Sequence, residues 1–298
     1  MRIAITGSTG LLGTSILDVI SEKHPDWELL CLSRKQVPSN KQKTWKSLDI
    51  TDYEATYQTI TRFNPDCVIH AAAMRSPDQC EQNEKEAYRV NFLGTRNVAL
   101  ACDRFDTELV LISSDQVFYG AKESRDHREY DATCAKNIYG QTKIWAEQYI
   151  QNHLRRYWII RTAKLFGGPG DHLASFPTQM TEAIRKNKKM KVTTDWFGHL
   201  TYAPDFALAL LGLIQRKTYG IYHLTSPNIA SYYEIAQWIT KKLKRGAELI
   251  EEVSFEDLNL PAHRAKRCVL DTQLWELEFG NKLPIWQEEM EKFLRSQR

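Results

Sequence analysis

A chain of 298 residues with 42% hydrophobic content can bury a large core, which excludes disordered and fibrous classes and fits one large α/β unit or a cofactor domain with a smaller lobe. Forty Lys and Arg against 37 Asp and Glu leave a net charge of +3, too weak a field for nucleic-acid binding, so a small-molecule partner is expected. The cysteines at 31, 67, 80, 102, 134 and 268 form no C-x-x-C pair or metal-ligand cluster, which reads as a reducing cytosol and no metal; Ile3-Ala4-Ile5 is too short for a signal-peptide core, and no apolar stretch nears the roughly 20 residues of a membrane span.

The first predicted strand, Arg2–Thr6, runs straight into Gly7-Ser8-Thr9-Gly10-Leu11-Leu12-Gly13 at the mouth of a predicted helix over Leu12–Ser21. Glycine allows the tight turn and lets backbone N–H groups approach a pyrophosphate, while the helix start offers unpaired donors and the positive end of its dipole. The spacing G-x-x-G-x-x-G, directly after an N-terminal strand, predicts a dinucleotide site over Gly7, Thr9, Gly10, Leu11, Leu12 and Gly13. The second strand, Glu28–Ser33, ends in Ser33-Arg34-Lys35 where an NAD-preferring site carries an acid for the ribose 2′-hydroxyl. A hydroxyl and two cations suit a 2′-phosphate, which predicts NADP(H) over NAD(H).

Strands over Cys67–His70, Glu108–Ser113 and Trp158–Arg161, near-continuous in apolar residues, alternate with helical patterns such as Ala87–Asp103, the punctuation of a doubly wound, Rossmann-type parallel sheet. Ser114 stands at the carboxyl end of one strand, where such sheets bind ligands, and is placed to hydrogen-bond a reacting carbonyl or alcohol; the plainer alternative is a helix cap or turn hydroxyl. About 25 residues on, Tyr139 and Lys143 lie four apart and share one helix face. An ammonium there stabilises a phenolate and eases proton exchange with a substrate oxygen, and can also bind the nicotinamide ribose.

Beyond Arg161 the rhythm loosens through a Gly/Pro turn at 167–170, a basic stretch Arg185–Lys191, and helical patterns near Tyr232–Leu243 and Leu283–Leu294. Phe206–Ile214 and Gly220–Leu224 read as a helix and strand returning to the main sheet. The expected division is a cofactor domain over 1–163, with 198–224 returning to it, and a smaller, discontinuous substrate lobe over 164–197 and 225–298.

The glycine triplet, His70-Ala71-Ala72-Ala73, Asn91, Ile112-Ser113-Ser114-Asp115, and Tyr139 with Lys143 together resemble the extended short-chain dehydrogenases over nearly the whole chain. Within them the chain is most similar to the dTDP-4-dehydrorhamnose reductases, through Ser114-Asp115-Gln116-Val117-Phe118, Asn137-Ile138-Tyr139-Gly140, Arg161-Thr162, Asp195-Trp196-Phe197-Gly198, Gly220-Ile221-Tyr222-His223-Leu224 and Arg267-Cys268-Val269-Leu270-Asp271. That resemblance implies reduction of the C4 ketone of a nucleotide-linked 6-deoxy sugar in deoxysugar biosynthesis. It implies Arg34 at the 2′-phosphate, Asp49 and Ile50 at the adenine, Ala71, Ala72, Ala73 and Ser113 along the cofactor, and Asn91 supporting Lys143 through water. Asp49 is otherwise explicable as a helix N-terminal acid.

The match departs on the substrate side, expected to hold Ser114, Asp115, Gln116, Lys164 and His199. Gln116 stands where the family has tyrosine and Lys164 where it has tryptophan; Gly198-His199-Leu200-Thr201 replaces Gly-x-Pro-Thr, and the proline-rich approach to Tyr139 is missing. Lys164 either meets an anionic substrate or points to solvent. Two rivals share the superfamily fold: a nucleotide-sugar epimerase or dehydratase that recycles its cofactor, and a non-catalytic NADP-binding subunit resembling the beta subunit of methionine adenosyltransferase. Retention of Ser114, Tyr139 and Lys143 favours an enzyme. The expected partner is a nucleotide sugar; many relatives are dimers, which leaves a homodimer open, but the sequence carries no interface signature, and neither nucleic acid nor membrane is expected.

Overall fold

The computed structural model describes residues 1–35, 37, 43–122, 125–169, 171, 175–280 and 282–297, so Gly170 of the 167–170 turn lies outside the described residues. In chain order, Arg2–Thr6 forms β1, Leu11–Lys23 α1, Glu28–Ser33 β2, Lys43–Ser47 β3, Tyr53–Phe63 α2 and Cys67–His70 β4. Next come α3 (Pro77–Gln82), α4 (Glu84–Ala87), a π-helical turn over Tyr88–Leu93, α5 (Gly94–Asp103), β5 (Glu108–Ser114), a 3-10 turn over Asp115–Phe118, α6 (Ile138–His153) and β6 (Tyr157–Thr162). The strands β1 to β6 all run parallel in the order β6-β5-β4-β1-β2-β3. The order reverses between β1 and β4, so a crevice opens there above the carboxyl ends of the strands.

After β6 the chain forms β7 (Leu165–Phe166), α7 (Phe176–Arg185), β8 (Met190–Thr193), β9 (Phe197–His199) and β10 (Thr201–Tyr202). Helix α8 (Ala203–Arg216) and β11 (Gly220–His223) then return to the main sheet, β11 pairing in parallel with β6 as its seventh strand. The remainder is β12 (Ile229–Ser231), α9 (Tyr232–Lys242), β13 (Ile250–Val253), β14 (Arg267–Cys268), α10 (Gln273–Phe279) and α11 (Trp286–Ser296).

Alternation along each strand divides the sheet's side chains between two apolar layers. Ile3, Ile5, Leu29 and Trp158 face α1 and α8, where they meet Ile16, Phe206 and Leu210; Ala4, Leu30, Val68 and Ile159 face the other way, toward Val98 and Ile150. Each such large side chain stabilises the fold by about 1.5–3 kcal/mol. Trp275, Phe279 and Leu283 also join the first layer, so the chain revisits the main sheet a second time, inside the 225–298 stretch expected to belong wholly to the lobe. The lobe's own core gathers Phe166, Met180, Ile184, Val192, Ile235, Met290 and Phe293. No helix among the described residues is long and apolar enough to cross a membrane.

Candidate active site

Gly7 has φ of 72°, and a β-carbon there would lie 2.8 Å from the Ala72 backbone nitrogen and 2.9 Å from the Ala71 carbonyl carbon. The loops after β1 and β4 therefore close on each other with no side chain between them. A β-carbon on Gly13 would collide with the Gly7 carbonyl oxygen, and α1 starts behind Gly10 with no side-chain cap. Its first N–H groups are left for a ligand, so the cradle fits the pyrophosphate of a dinucleotide.

Arg34 and Lys35 are exposed just past β2, and the Ser33 hydroxyl donates to the Lys35 carbonyl oxygen at 2.6 Å, serving the loop backbone rather than a phosphate. Asp49 accepts from the Thr51 amide at 2.9 Å and its hydroxyl at 2.8 Å. Partial burial pulls its carboxyl up, but these bonds and the charges of Arg89 and Arg34 outweigh that and hold it below its usual range. Helix α2 is capped by Asp52, not Asp49, and Ile50 packs against Gly94 of α5.

Helix α6 is set by Asn137, whose side-chain oxygen accepts from the Gly140 amide at 2.7 Å while its Nδ2 donates to the His263 carbonyl at 2.7 Å. One turn in stands Tyr139, near enough to Ser114 for that hydroxyl to favour its ionised form slightly. Ser114 Oγ also donates to Asp115 at 2.9 Å and accepts from the Gln116 amide at 3.2 Å, so both sequence readings of this serine hold together. Burial, then the Asp115 charge, push the Tyr139 phenol well above its ordinary value. Lys143 Nζ donates to the Ile112 carbonyl at 3.0 Å and lies 5.9 Å from the centre of the Tyr139 ring; burial brings it down to about 8, against the pull of Glu147. With its phenol raised by burial and by the Asp115 charge, Tyr139 holds its proton at neutral pH, the state that suits a proton donor.

Asn91 acts directly on this helix: Nδ2 donates to Thr142 Oγ1, beside Lys143, at 3.1 Å and to the Met74 carbonyl at 3.1 Å, and its oxygen accepts from the Met74 amide at 2.7 Å. His70 is fixed between Thr6 (2.7 Å) and Thr95 (2.9 Å), and burial lowers it to about 3, so it stays neutral.

On the substrate side, Asp115 accepts from Ser114 and from the Tyr119 hydroxyl at 3.2 Å, and burial raises its carboxyl against the attraction of Lys164. Gln116 accepts from Asn137 Nδ2 at 2.9 Å and so steadies the cap of α6. His199, expected to line the cleft, is buried, with Nδ1 against the Ser226 carbonyl at 2.8 Å and Nε2 accepting from the Leu270 amide at 2.9 Å; neither nitrogen is left for a ligand. Burial lowers its pKa to about 4. Lys164 does not point to solvent: its ammonium lies 4.4 Å from the centre of the Trp196 ring and 5.8 Å from that of Tyr232. The basic stretch 185–191 is a solvated face, with Lys186 paired to Glu182 and Lys191 to Glu251.

Two features escaped the sequence. Glu147, one turn beyond Lys143, forms a buried ion pair with Arg161 of β6 at 2.7 Å and also takes the Ser113 hydroxyl, which is thereby committed away from the cofactor wall. The only sequence signal for it is an arginine inside the apolar run Trp158-Ile159-Ile160-Arg161. The rings of Trp196 and Tyr232 around Lys164 gave no signal, since they lie far apart in the chain. Among the described residues no group of three or more His, Cys, Asp or Glu is arranged to hold a metal ion.

The model of the RmlD substrate binding domain family matches residues 1–298. The spore coat polysaccharide biosynthesis protein SpsK of Bacillus subtilis is 30% identical, the match covering 99% of this chain and 97% of that one. The dTDP-4-dehydrorhamnose reductase of Aggregatibacter actinomycetemcomitans is 28% identical over 96% of both. Among solved structures, the dTDP-4-dehydrorhamnose reductase of Bacillus anthracis in complex with NADP superposes with a TM-score of 0.88, at 29% identity and 99% coverage of each chain.

Proposed function

The chain belongs to the RmlD substrate binding domain family, and from that premise we propose that it reduces the C4 ketone of a nucleotide-linked 4-keto-6-deoxy sugar, as the dTDP-4-dehydrorhamnose reductases it resembles do, in deoxysugar biosynthesis. The observation that carries this reading is the convergence of Ser114, at the carboxyl end of β5, with Tyr139 and Lys143 on α6, where Lys143 Nζ lies 5.9 Å from the Tyr139 ring centre and donates to the Ile112 carbonyl of β5 at 3.0 Å.

A substrate carbonyl oxygen set between the Ser114 and Tyr139 hydroxyls receives a hydrogen bond from Ser114, which orients it, and a proton from Tyr139, which completes the alcohol. Lys143 stabilises the phenolate left on Tyr139 until solvent reprotonates it. When bound, the reduced nicotinamide supplies the hydride that reaches C4. Asn91 keeps α6 in register with the loop after β4, so the serine and tyrosine hydroxyls stay aligned.

The chain binds a nicotinamide dinucleotide in the cradle of Gly7, Gly10 and Gly13. NADP(H) is our reading of its preference, supported by exposed Arg34 and Lys35 and by the absence of an acid at the end of β2. The same cations weigh against an epimerase or dehydratase that recycles NAD. We keep the division expected from sequence, with β11 in the cofactor domain, except that α10, expected in the lobe, packs on the cofactor side. Cytoplasmic residence belongs to this proposal and is supported by six free cysteines, five of them buried.

The test is NADPH oxidation with dTDP-, GDP-, UDP- and CDP-linked 4-keto-6-deoxy sugars. One equivalent consumed per sugar reduced at C4 supports a reductase; sugar conversion with no net NADPH consumption supports the recycling enzyme. Equal use of NADH would defeat the NADP preference.

A further inference from the structure

Lys164 follows β6 with φ of 35°, on the left-handed side that residues bearing a side chain adopt uncommonly. Its ammonium rests against the rings of Trp196 and Tyr232. Opposite stands Gly198, where a β-carbon would collide with Nζ, so the glycine leaves the space that the ammonium fills. Strained backbone, aromatic walls and a missing side chain together make a seat for one cation.

That cation makes no hydrogen bond or ion pair with a described residue. The carboxylate that attracts it, Asp115, already accepts from Ser114 and Tyr119. The ammonium thus keeps N–H donors for a ligand, within electrostatic reach of the residue next to Ser114. Resting on the reading that Ser114 holds a C4 carbonyl, the neighbouring ring carbons are C3, which carries a hydroxyl, and C5, which carries a methyl group and the ring oxygen. Only the C3 hydroxyl is an exocyclic oxygen that such a donor can satisfy.

We propose that Lys164 is the sugar-selecting residue of this cleft, its ammonium donating a hydrogen bond to the hydroxyl on the ring carbon beside the ketone. A charged donor replaces the flat apolar contact that a tryptophan would give at this position, so the site recognises the substituent rather than the ring face.

The test compares wild type and Lys164→Met on dTDP-4-dehydrorhamnose and on its 3-deoxy analogue, with NADPH affinity measured separately. For the parent sugar the variant should show KM raised roughly 10- to 100-fold with kcat within about threefold, the pattern of a contact made equally in ground and transition states. On the 3-deoxy analogue the two proteins should have the same KM, and NADPH should bind both alike. Equal losses on both sugars, or no loss on the parent while the wild type turns it over, would overturn the role of Lys164 alone. A wild type that reduces a 4-keto sugar bearing a C5 carboxylate in preference to the neutral sugar would overturn the hydroxyl assignment. A wild type inert toward every 4-keto sugar would remove the parent reading together with this one.

Discussion

Replacing Glu147 with Leu tests how α6, which carries Tyr139 and Lys143, is anchored to the sheet. Glu147 and Arg161 are 2% and 3% exposed in their side chains, and the guanidinium meets the carboxylate at 2.7, 3.1 and 3.2 Å. Removing the carboxylate leaves a buried guanidinium without its ion-pair partner, with only the carbonyl and more distant charge of Glu129 beside it, and the Ser113 hydroxyl without its acceptor, a loss of about 3–5 kcal/mol. With an unfolding entropy of about 2.1 cal/mol/K per residue, that lowers Tm by about 5–8 °C. The double variant Glu147→Leu/Arg161→Met should recover much of the loss, since no unpaired charge remains, giving a coupling of about 2 kcal/mol or more in urea unfolding. The carboxylate also favours the charged form of Lys143, so the single variant should lose activity at a lower pH than wild type. A coupling below about 0.5 kcal/mol with an unmoved pH limb would refute the anchoring role.

Because burial brings Lys143 to about 8, kcat/KM for reduction should fall tenfold per unit above that pH, with Tyr139 still protonated throughout; a limb near the ordinary lysine value would be incompatible with the burial argument. Glu289 is fully buried, accepts from the Tyr202 amide and Ser226, and is pushed up to about 8 by burial. Its folded pKa lies above the unfolded one, so stability present at acid pH declines as pH rises from the ordinary glutamate range through 8, by about 1.4 kcal/mol per unit. Glu289→Gln should flatten that decline in urea unfolding between pH 5 and 8, and a flat wild-type curve would sink the prediction. Gly13→Ala, which drives a methyl into the Gly7 carbonyl, should weaken NADPH binding at least tenfold by fluorescence titration; unchanged affinity would mean that the cradle is not the pyrophosphate site.

Strands β1, β2 and β4 match the bounds expected from sequence, because the runs Ile3-Ala4-Ile5, Leu29–Leu32 and Cys67-Val68-Ile69 are buried on both faces and polar residues such as Arg2, Thr6, Glu28, Ser33 and His70 mark their ends. Strand β3 went unread: Lys43-Thr44-Trp45-Lys46-Ser47 lies at the sheet edge, where one face meets water and charges are tolerated. The helix expected over Ala87–Asp103 contains a π turn at Tyr88–Leu93, which apolar spacing cannot distinguish from α, yet that turn carries Asn91. Ser114, Tyr139 and Lys143 were legible as candidates because one ends an apolar strand run and the other two stand four apart on one helix. Partners joined only by folding were not: His199 with Ser226 and Leu270, Gln116 with Asn137, Lys164 with Trp196 and Tyr232. In each case the residue type named a capability, and the fold decided which neighbour received it.

The most direct test of the reductase reading is NADPH oxidation by wild type and Tyr139→Phe with dTDP-4-dehydrorhamnose as substrate. Wild type should consume one NADPH per sugar, and the variant should bind both ligands yet lose about 10²- to 10⁴-fold in kcat. Full turnover by the variant, or no oxidation by a wild type that binds NADPH, would contradict it.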